Sequence, residues 1–305
     1  MASSEPRYRQ RRVRTLAERR RSAFLIGLMH AAPALALVVG PNPIDGWILA
    51  CVYPFQAIGI GVSLHRYFAH RSFKTSRAFQ LFLALCSACV FGDPIGFAGK
   101  HRIHHDHADL ETDVHTPRHG WWACWFGSLL DSGHPEEEIL GRATDLRRYP
   151  ELVWIHRHSR VPGLTLIALM ALLGGVVAGR EGGLAEALLG GFTAGTIGVC
   201  LPTVFAIHQT SAVNYFTHKV GSQRFETGDL STNHFLVALL TWGEGWHNNH
   251  HHYPSSARAG FRWWEIDPFY WVICLFERAG LVWDVRRPPP ELTRSTAPRA
   301  EARTA

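Results

Sequence analysis

Apolar residues are concentrated in four long blocks, with polar and charged residues between them. The blocks cover about residues 23–40, 47–64, 163–179 and 184–207. Each is close to the roughly 20 residues that a helix needs to cross the hydrocarbon core of a bilayer. A helix at the surface of a soluble core usually keeps a polar stripe, and these blocks barely show one. The pattern therefore predicts four transmembrane helices rather than buried helices of a soluble protein.

Turn-forming residues join the blocks in pairs. Residues 41–46 (PNPIDG) separate the first two blocks, and residues 180–183 (REGG) separate the last two. Proline, asparagine and glycine interrupt regular structure, so both stretches predict tight connections. We therefore expect two transmembrane hairpins. The stretches 65–160 and 208–285 are expected to form a helical cap on one side of the membrane.

The charge of the chain is concentrated at its beginning. The formal net charge is +6, and residues 1–22 account for all of it with eight arginines and two glutamates. A basic arm before an apolar block usually marks the cytoplasmic side of a membrane protein. Nucleic-acid binding and the start of a cleaved signal peptide are the alternatives. The block is long and no small-residue cleavage site ends it, so we expect a basic cytosolic arm over residues 1–22 and no nucleic-acid partner.

The six cysteines offer no disulfide framework, which fits a reducing compartment. Cys86 and Cys89 have the CxxC spacing that can indicate redox or metal chemistry. Both lie within a shorter apolar stretch, residues 78–91. We therefore expect two small buried residues rather than a reactive pair.

Histidines recur in three motifs outside the apolar blocks. One motif is HxxxxH (His65 and His70), and two are HxxHH (His101, His104 and His105; His247, His250 and His251). On a helix, residues i, i+3 and i+4 share a face, so each HxxHH motif predicts imidazoles that point the same way. Five residues advance a helix by about 500°, so His65 and His70 converge only if one of them lies at or beyond a helix end.

A fourth element follows the last apolar block, where Asn214 and His218 are i, i+4 neighbours. His218 is a candidate ninth histidine ligand, and Asn214 is a candidate to hold a metal-bound water. Eight or nine imidazoles exceed the needs of one ion but would serve two ions at four to five each. Imidazole suits iron, copper, nickel and zinc. The sequence therefore predicts an all-histidine dimetal site, without the Glu and Glu-x-x-His ligands of soluble di-iron bundles.

Neutral histidine ligands leave the metal charge uncompensated, so nearby carboxylates are expected to support them. Asp106, Asp113 and Glu244 are the candidates close to the motifs. The other histidines have no ligand spacing with each other and are expected to be structural: His30, His107, His115, His119, His134, His156, His158, His208, His234 and His252. A nucleophile–base mechanism is not indicated, because no GxSxG setting and no phosphate-binding loop is found.

The apolar stretch 78–91 lies between the first two histidine motifs. If both motifs bind the same metals, they lie on one side of the membrane, and an even number of crossings separates them. One stretch of this length cannot cross twice, so we expect a helix in or under the interface. Two crossings separate His105 from His218, and two separate the basic arm from His65. We therefore place the site and both chain termini in the cytoplasm.

Together these motifs resemble those of the membrane fatty-acyl desaturases of the acyl-CoA (stearoyl-type) family, over about residues 23–280. The matching stretches are residues 64–74 (LHRYFAHRSFK), 100–105 (KHRIHH), 112–115 (TDVH), 214–218 (NYFTH) and 243–251 (GEGWHNNHH). The resemblance implies four transmembrane helices under a cytosolic cap. It also implies two irons, with Asn214 contacting one through water and with nine histidine ligands: His65, His70, His101, His104, His105, His218, His247, His250 and His251.

The reaction that the resemblance implies is the removal of two hydrogens from an unactivated long-chain acyl group, with O2 and electrons. A methylene C–H has no useful acidity, so a redox metal must do this work. No fused cytochrome b5 domain is visible, so electrons are expected from a separate ferredoxin or cytochrome b5-type protein with its reductase. A hydroxylase or acetylenase on the same scaffold is an alternative. A metal transporter is another, but it predicts ionisable residues inside the apolar blocks, where we count only His30.

One departure from the family leaves the acyl carrier open. Animal acyl-CoA members have a basic pair just before a His-Pro in the cap, and here residues 131–135 read DSGHP. Acyl-CoA, acyl-carrier protein and a lipid-linked chain are therefore all candidate substrates. The cations available to a substrate headgroup are Arg71, Lys74, Arg102, Arg147 and Arg148.

The chain thus divides into three parts. Residues 1–22 form the basic arm, residues 23–285 form the membrane desaturase domain, and residues 286–305 are expected to be a disordered tail. The predicted fold class is an all-α integral membrane protein with two hairpins and a cytosolic cap that holds the dimetal site.

Overall fold

The computed structural model describes residues 15–130 and 133–293, which are mostly helical. The α-helices of these ranges are α1 (Leu16–Val39), α2 (Pro43–Ile58), α3 (Arg77–Ala88), α4 (Pro94–His107), α5 (Ser128–Leu130), α6 (Glu136–Arg142), α7 (Pro150–Arg157), α8 (Val161–Gly195), α9 (Leu201–Phe216), α10 (Phe235–Leu240), α11 (His247–His252), α12 (Pro268–Arg278) and α13 (Pro290–Thr293). Three π-helical stretches (Gly59–Ala69, Ala123–Gly127 and Thr196–Cys200) and a 3-10 turn (Pro117–His119) lie between them. Two short strands, β1 (Lys74–Thr75) and β2 (Val282–Trp283), pair antiparallel with Lys74 opposite Trp283.

Within residues 15–130 and 133–293, four helical spans are long and apolar enough to cross a membrane, as the hydropathy pattern predicts. They are Leu16–Val39, Pro43–Ala69, Val161–Arg180 and Gly182–Phe216. The second and fourth spans extend beyond their predicted ends at residues 64 and 207. Polar side chains at these ends find partners within the protein, so the helices continue where the hydropathy falls. Arg66, for example, is buried and pairs with Glu244 and Asp267.

The second hairpin packs through small residues. The helix breaks at Gly183, whose φ of +74° is readily adopted only by glycine. A Cβ on Gly174 would lie 2.2 Å from the Cβ of Ala194 and 2.5 Å from the carbonyl oxygen of Gly190. Such close approach is typical of membrane helices, which associate through packing rather than through the hydrophobic effect.

The third apolar helix, α3, is too short to cross a bilayer. It has 12 residues, or about 18 Å at 1.5 Å per residue, against about 30 Å of hydrocarbon. Leu83 is buried in the core, whereas Leu81, Phe82 and Leu85 are exposed. This division of apolar side chains suits the expected helix in or under the interface.

The largest core holds the histidine-bearing helices against the rest of the chain. Phe68 of the π-helix and Ile95 of α4 are fully buried there, with Leu83 of α3, Ile155 of α7 and Ile273 of α12. Each buried side chain of this size contributes about 1.5–3 kcal/mol. This core therefore fixes the relative positions of the first two histidine motifs.

The predicted N-terminal arm lies mostly outside the described residues. The structure describes it from residue 15, where Thr15 caps α1 in a capping box with Glu18. The arm therefore ends as the first turns of a helix. Its earlier residues, 1–14, are outside the described ranges.

The first residue of the predicted tail, Arg286, is hydrogen-bonded to other parts of the chain. The backbone N–H of Arg286 donates to the carbonyl oxygen of Ser72, and the N–H of Ala257 donates to that of Arg286, both at 2.8 Å. The chain then forms the short helix α13. The backbone of Arg286 thus contacts two other parts of the chain, close to the pairing of β1 with β2. The rest of the predicted tail, 294–305, is outside the described residues.

Candidate metal centre and acyl cavity

His65 and His70 converge because the chain between them is not an α-helix. Residues Gly59–Ala69 form a π-helix, in which the backbone N–H of His70 donates to the carbonyl oxygen of His65, five residues earlier (3.2 Å). This pitch brings residues i and i+5 to one face, and the two ring centroids lie 5.0 Å apart. His70 is also the C-cap of the helix, so the expected helix end is found, with a π-turn in addition.

The two HxxHH motifs lie on α-helices, as their spacing predicts. The second motif is on α4 and the third is on the short helix α11. Asp93 caps α4 by accepting a hydrogen bond from the N–H of Ile95 (3.1 Å). His218 follows α9 directly, and Asn214 lies one turn earlier on the same helix.

The five-histidine cluster consists of His65, His70, His101, His105 and His250. The Nε2 atoms of His70 and His101 are 2.7 Å apart, and those of His65 and His250 are 3.0 Å apart. The Nε2 atom of His105 lies 3.1 Å from that of His101 and 3.0 Å from that of His250. The π-helix, α4 and α11 thus bring the Nε2 atoms of their histidines to one point.

The four-histidine cluster consists of His104, His218, His247 and His251, whose candidate ligand atoms all lie within 4.8 Å of one another. The Nε2 atom of His251 is 3.0 Å from that of His247 and 3.3 Å from that of His104. The Nε2 atom of His218 is buried without a hydrogen-bond partner. The clusters adjoin, since the rings of His105 and His251 have centroids 4.5 Å apart.

Carboxylates bind the other ring nitrogen, Nδ1, of four of these histidines. The pairs are His104 with Asp113 (2.8 Å), His218 with Asp109 (2.9 Å), His251 with Asp229 (2.7 Å), and His65 with Glu244. Because an ionised carboxylate only accepts, the Nδ1 atom must carry the proton, and the Nε2 atom keeps its lone pair. These carboxylates therefore orient each ring with its free lone pair toward the cluster.

The three carboxylates predicted near the ligands have different partners. Asp113 contacts His104 and Glu244 contacts His65, whereas Asp106 pairs with Arg142 (2.5 Å), and its side chain is about half exposed. On α4, Asp106 directly follows His105, and adjacent residues of a helix do not face the same way. Its carboxylate therefore points away from the clusters.

The nitrogen geometry fits metal ions. Two nitrogens that each lie about 2.1 Å from one ion, at a right angle, are about 3.0 Å apart, which matches most of the Nε2 separations above. Burial and then the neighbouring His65 lower the pKa of His105 to about 3, and burial with other histidines lowers the pKa of His104 and His251 well below the usual value. Neutral rings with facing lone pairs repel, and a cation between them removes that repulsion. The buried, unpartnered Nε2 of His218 is accounted for in the same way.

A mostly apolar cavity of about 370 Å³ lies beside both clusters. His65 and His101 from one cluster and His247 from the other form part of its wall. Apolar and small side chains form most of the remaining wall, including Ile60, Leu64, Phe97, Val114, Ala206, Ile207 and Val213. Asn214 also lines the cavity. Such a cavity suits an alkyl chain brought alongside the histidines.

Comparison with known proteins decides the family. Residues 44–283 match the family model described as fatty acid desaturase. An icosanoyl-CoA 5-desaturase of Limnanthes douglasii is 36% identical over 79% of this chain and 65% of its own length. The sn-2 palmitoyl-lipid 9-desaturase of Nostoc sp. (strain 36) is 33% identical over 88% of this chain and 91% of its own length. This chain belongs to the fatty acid desaturase family.

Membership in the desaturase family confirms the resemblance seen in the motifs. The chain is therefore an oxidoreductase that acts on fatty acyl substrates, rather than a metal transporter. A hex-5-enoyl-[acyl-carrier protein] acetylenase of Moorena producens (strain JHB) is also similar, at 33% identity over 80% of this chain and 78% of its own length. The names of these relatives span three acyl carriers.

Most cations expected near a substrate headgroup have other partners in this desaturase. Arg102 donates two hydrogen bonds to Asp145 (2.8 and 3.1 Å), and Arg71 donates to the same carboxylate (2.5 Å). Lys74 pairs with Asp284 (2.8 Å). Burial alone would raise the pKa of Asp145, but the bonds and charges of the two arginines outweigh it and lower that pKa. These contacts join the end of the π-helix and α4 to the segment after α6, and β1 to the segment after β2.

The two remaining candidates, Arg147 and Arg148, are exposed. The guanidinium of Arg148 lies over the ring of Tyr149, 5.1 Å from its centroid. Residues 131–132 of the DSGHP stretch lie outside the described residues. His134 of that stretch contacts the Thr112 carbonyl oxygen (2.7 Å).

Two carboxylates of the desaturase site were missed from the sequence. Asp109 lies four residues after His105, a spacing that could have drawn attention to it, but its left-handed backbone (φ +61°) turns it toward His218. Asp109 also accepts a bond from the N–H of Leu230 (2.8 Å). Asp229 lies in the loop before α10, and no motif in the neighbouring sequence indicates that it contacts His251.

Two histidines expected to be only structural lie near the cavity. The ring of His115 has its centroid 4.1 Å from that of His104, and its Nδ1 is buried without a partner. His208 lies inside the fourth span and is 3.1 Å from His30. The count of only one ionisable residue in the apolar blocks was therefore wrong. Glu186 lies in the fourth block, and the span continues through His208 to Phe216.

Cys86 and Cys89 form no disulfide. Cys86 is fully buried, and burial raises the pKa of its thiol to about 12. A thiol with so high a pKa remains protonated and is neither a good nucleophile nor a metal ligand. The CxxC spacing thus reflects two packed small residues, as expected.

Proposed function

We propose that this chain is an O2-dependent desaturase that introduces a double bond into a long-chain acyl group at a histidine-ligated di-iron centre. One observation carries the proposal: two clusters of converging histidine Nε2 atoms border the same mostly apolar cavity. An alkyl chain in that cavity would lie directly beside both clusters.

The ligand assignment follows the clusters. His65, His70, His101, His105 and His250 would hold one iron, and His104, His218, His247 and His251 would hold the other. Asn214 would complete the second site through a water, because it lines the cavity one turn before His218. Imidazole is a suitable ligand for iron.

The reaction balances with two electrons. A –CH2–CH2– pair, O2, two electrons and two protons give –CH=CH– and two waters. Bound irons would supply the oxidising power of this reaction with O2. The protein would position the chain and exclude water through the apolar wall, while Asp109, Asp113, Asp229 and Glu244 keep the ligand rings in the required orientation.

The proposal also covers the source of the electrons and the side of the membrane on which the site lies. A separate ferredoxin or cytochrome b5-type protein, with its reductase, would deliver the electrons. The termini and the site would lie in the cytoplasm. The arginine-rich start of the chain and the two spans that separate His105 from His218 support this arrangement.

The test is the acyl-chain profile of a bacterial host that makes the protein with a ferredoxin and its reductase, measured by gas chromatography–mass spectrometry. The control is His104→Ala at matched protein level. We expect new unsaturated chains in the wild type alone. An unchanged profile from protein that holds two irons, after acyl-CoA, acyl-carrier protein and lipid-linked chains have each been supplied, would contradict the proposal.

An acetylenase is the second candidate, because one similar protein bears that name. It would use the same histidines on a chain that already has a double bond. The same chromatograms separate the two reactions, since a triple bond lowers the product mass by two further hydrogens.

A further inference from the structure

A small polar network lies within the membrane-spanning part of the molecule, close to the acyl cavity. His30 of α1 and His208 of α9 face each other with Nε2 atoms 3.1 Å apart. The indole N–H of Trp125, which precedes α5, donates to the Nδ1 of His208 (2.9 Å). Ionisable residues inside membrane spans are costly and usually functional.

Only one arrangement of protons satisfies this network with both rings neutral. A carbonyl oxygen only accepts, so the Nδ1 of His30 donates to the oxygen of Ile26 (2.7 Å). The Nδ1 of His208 accepts from Trp125, so its Nε2 carries a hydrogen and donates to His30. Each of the three side chains depends on the next, so the loss of one bond weakens the whole latch formed by Trp125, His208 and His30.

The latch holds residues 121–130, which we call the gate. Its inner side lines the cavity through Ser128 and Leu129. On the same short segment, Trp121 and Trp122 are 47% and 63% exposed. A second bond, from the hydroxyl of Ser211 to the Trp125 carbonyl oxygen (2.9 Å), ties the gate to α9. The segment thus reaches from the cavity wall to the outer surface of the protein.

The gate lies at the depth of lipid acyl chains. His30 follows the last arginine of α1, Arg21, by nine residues, or about 14 Å along the helix. The ring of Phe126 in the gate has its centroid 6.5 Å from that of His30. The gate therefore reaches well into the hydrocarbon on the histidine side of the membrane.

The cavity has little positive charge to offer a phosphorylated headgroup. Of the described residues that line it, Lys100 is the only lysine or arginine. Arg71 and Arg102 bind Asp145, as described above. Coenzyme A carries several phosphate charges, whereas an acyl chain that enters from the bilayer brings only methylenes to this wall.

We propose that the substrate is an acyl chain still attached to a membrane lipid, which enters the cavity sideways past the gate of residues 121–130 that the Trp125–His208–His30 latch holds closed. This inference rests on the proposed desaturase function. Opening the gate breaks the latch and exposes the inner wall to the lipid chains of that leaflet.

The gate can be tested without an enzyme assay. The measurement is the alkylation rate of Cys124, a buried cysteine within the gate. The protein is placed in phospholipid nanodiscs with a membrane-soluble maleimide, and each cysteine is read by peptide mass spectrometry. Trp125→Phe keeps an aromatic ring, although a smaller one, and removes the indole N–H, and we expect Cys124 to react about tenfold faster, the equivalent of one lost hydrogen bond. Cys86 and Cys200, also buried but outside the gate, are internal controls and should not change.

His30→Leu is the second variant, in case Trp125→Phe does not fold. This variant should also raise the alkylation rate of Cys124. His30→Gln can still accept a hydrogen bond from His208 and should therefore keep the slow rate of the wild type. An unchanged Cys124 rate in folded Trp125→Phe or His30→Leu would overturn the latch. A parallel rise at Cys86 and Cys200 would also overturn it, because it would reveal general loosening instead of a gate.

The carrier is tested in nanodiscs of 1-stearoyl-2-oleoyl-phosphatidylcholine with a deuterated stearoyl chain, supplied with ferredoxin, reductase and O2. We expect a double bond in the intact deuterated phospholipid, with no product from stearoyl-CoA or stearoyl-acyl carrier protein in parallel reactions. Product only from a soluble carrier would overturn sideways access while leaving the desaturase function intact. No product from any carrier, with two irons bound, would instead overturn the proposed function.

Discussion

At the scale of single residues, the centre depends on which ring nitrogen each histidine offers. The carboxylates of Asp109, Asp113, Asp229 and Glu244 take the Nδ1 side, so that the Nε2 side faces the cluster. Only some of these partners could be predicted. Asp113 and Glu244 are close to a motif in the sequence, whereas Asp229 reaches His251 through the fold alone.

Replacing Asp109 or Asp229 by Asn should weaken metal binding. Each change leaves a neutral side chain where a carboxylate oriented a ring, and the loss of such a partner typically costs 10–100-fold in affinity. The measurement is iron retained per chain against a competing chelator, by plasma mass spectrometry. Asp106→Asn is the matched control, since Asp106 pairs with Arg142 away from the site. Equal retention in all three variants would show that these carboxylates do not support the ligands.

Asp145 should make the stability of the cap depend on pH. Its paired arginines lower its pKa below the ordinary value of 3.8, so the unfolded state binds more protons in this range. The stabilising contribution is therefore present above the ordinary pKa and is lost as the pH falls through the lowered one. Between about pH 7 and about pH 3, the free energy of unfolding of the wild type should fall more than that of Asp145→Asn, by at most about 1 kcal/mol.

Chemical denaturation in detergent at both pH values measures this difference. Parallel loss in the two proteins would mean that the bonds from Arg71 and Arg102 do not stabilise the fold. Arg147→Ala, which removes an exposed arginine, should follow the wild type.

At the scale of elements, helical periodicity explains part of the site. The HxxHH motifs converge as i, i+3, i+4 neighbours on α4 and α11, and this follows from the sequence. The HxxxxH motif required a helix end by the same logic, and His70 is indeed a C-cap, but its convergence with His65 also depends on a π-helix. Spacing alone does not indicate that turn, which begins at Gly59 and includes Gly61, two positions that other chain segments approach closely.

Gly61→Ala should destabilise the element that carries His65. A Cβ at this position would lie 2.0 Å from the ring of Phe269, which is buried on α12. Overpacking of this kind costs about 1–3 kcal/mol, and the melting temperature in detergent should fall. Gly46→Ala is the control, because a Cβ there meets nothing within 4 Å. A Gly61→Ala protein as stable as the control would contradict the packing described here.

At the scale of the whole molecule, hydropathy predicted the four long apolar helices, and the motifs predicted the family. The second span ends later than hydropathy predicts, because buried partners such as Glu244 and Asp267 for Arg66 allow the helix to continue past the hydropathy limit. The contact between His30 and His208 could not be predicted from the sequence, because these residues are 178 positions apart.

The proposed sidedness predicts opposite labelling of the two ends of the fold. Leu184, next to the break at Gly183, is exposed, and so is Arg147 in the cap. In spheroplasts of a bacterial host, Leu184→Cys should react with a membrane-impermeant maleimide, and Arg147→Cys should react only after the membrane is opened. The reverse pattern would place the histidines outside the cytoplasm.

The central claim is that nine histidines hold two irons. The most direct measurement is the iron content of purified protein, compared among the wild type, His218→Ala and His70→Ala. We predict two irons per chain in the wild type, with each variant losing chiefly the iron of its own cluster and retaining about one. A wild type that binds a single ion, or one whose two clusters take up no iron under reducing conditions, would contradict the account.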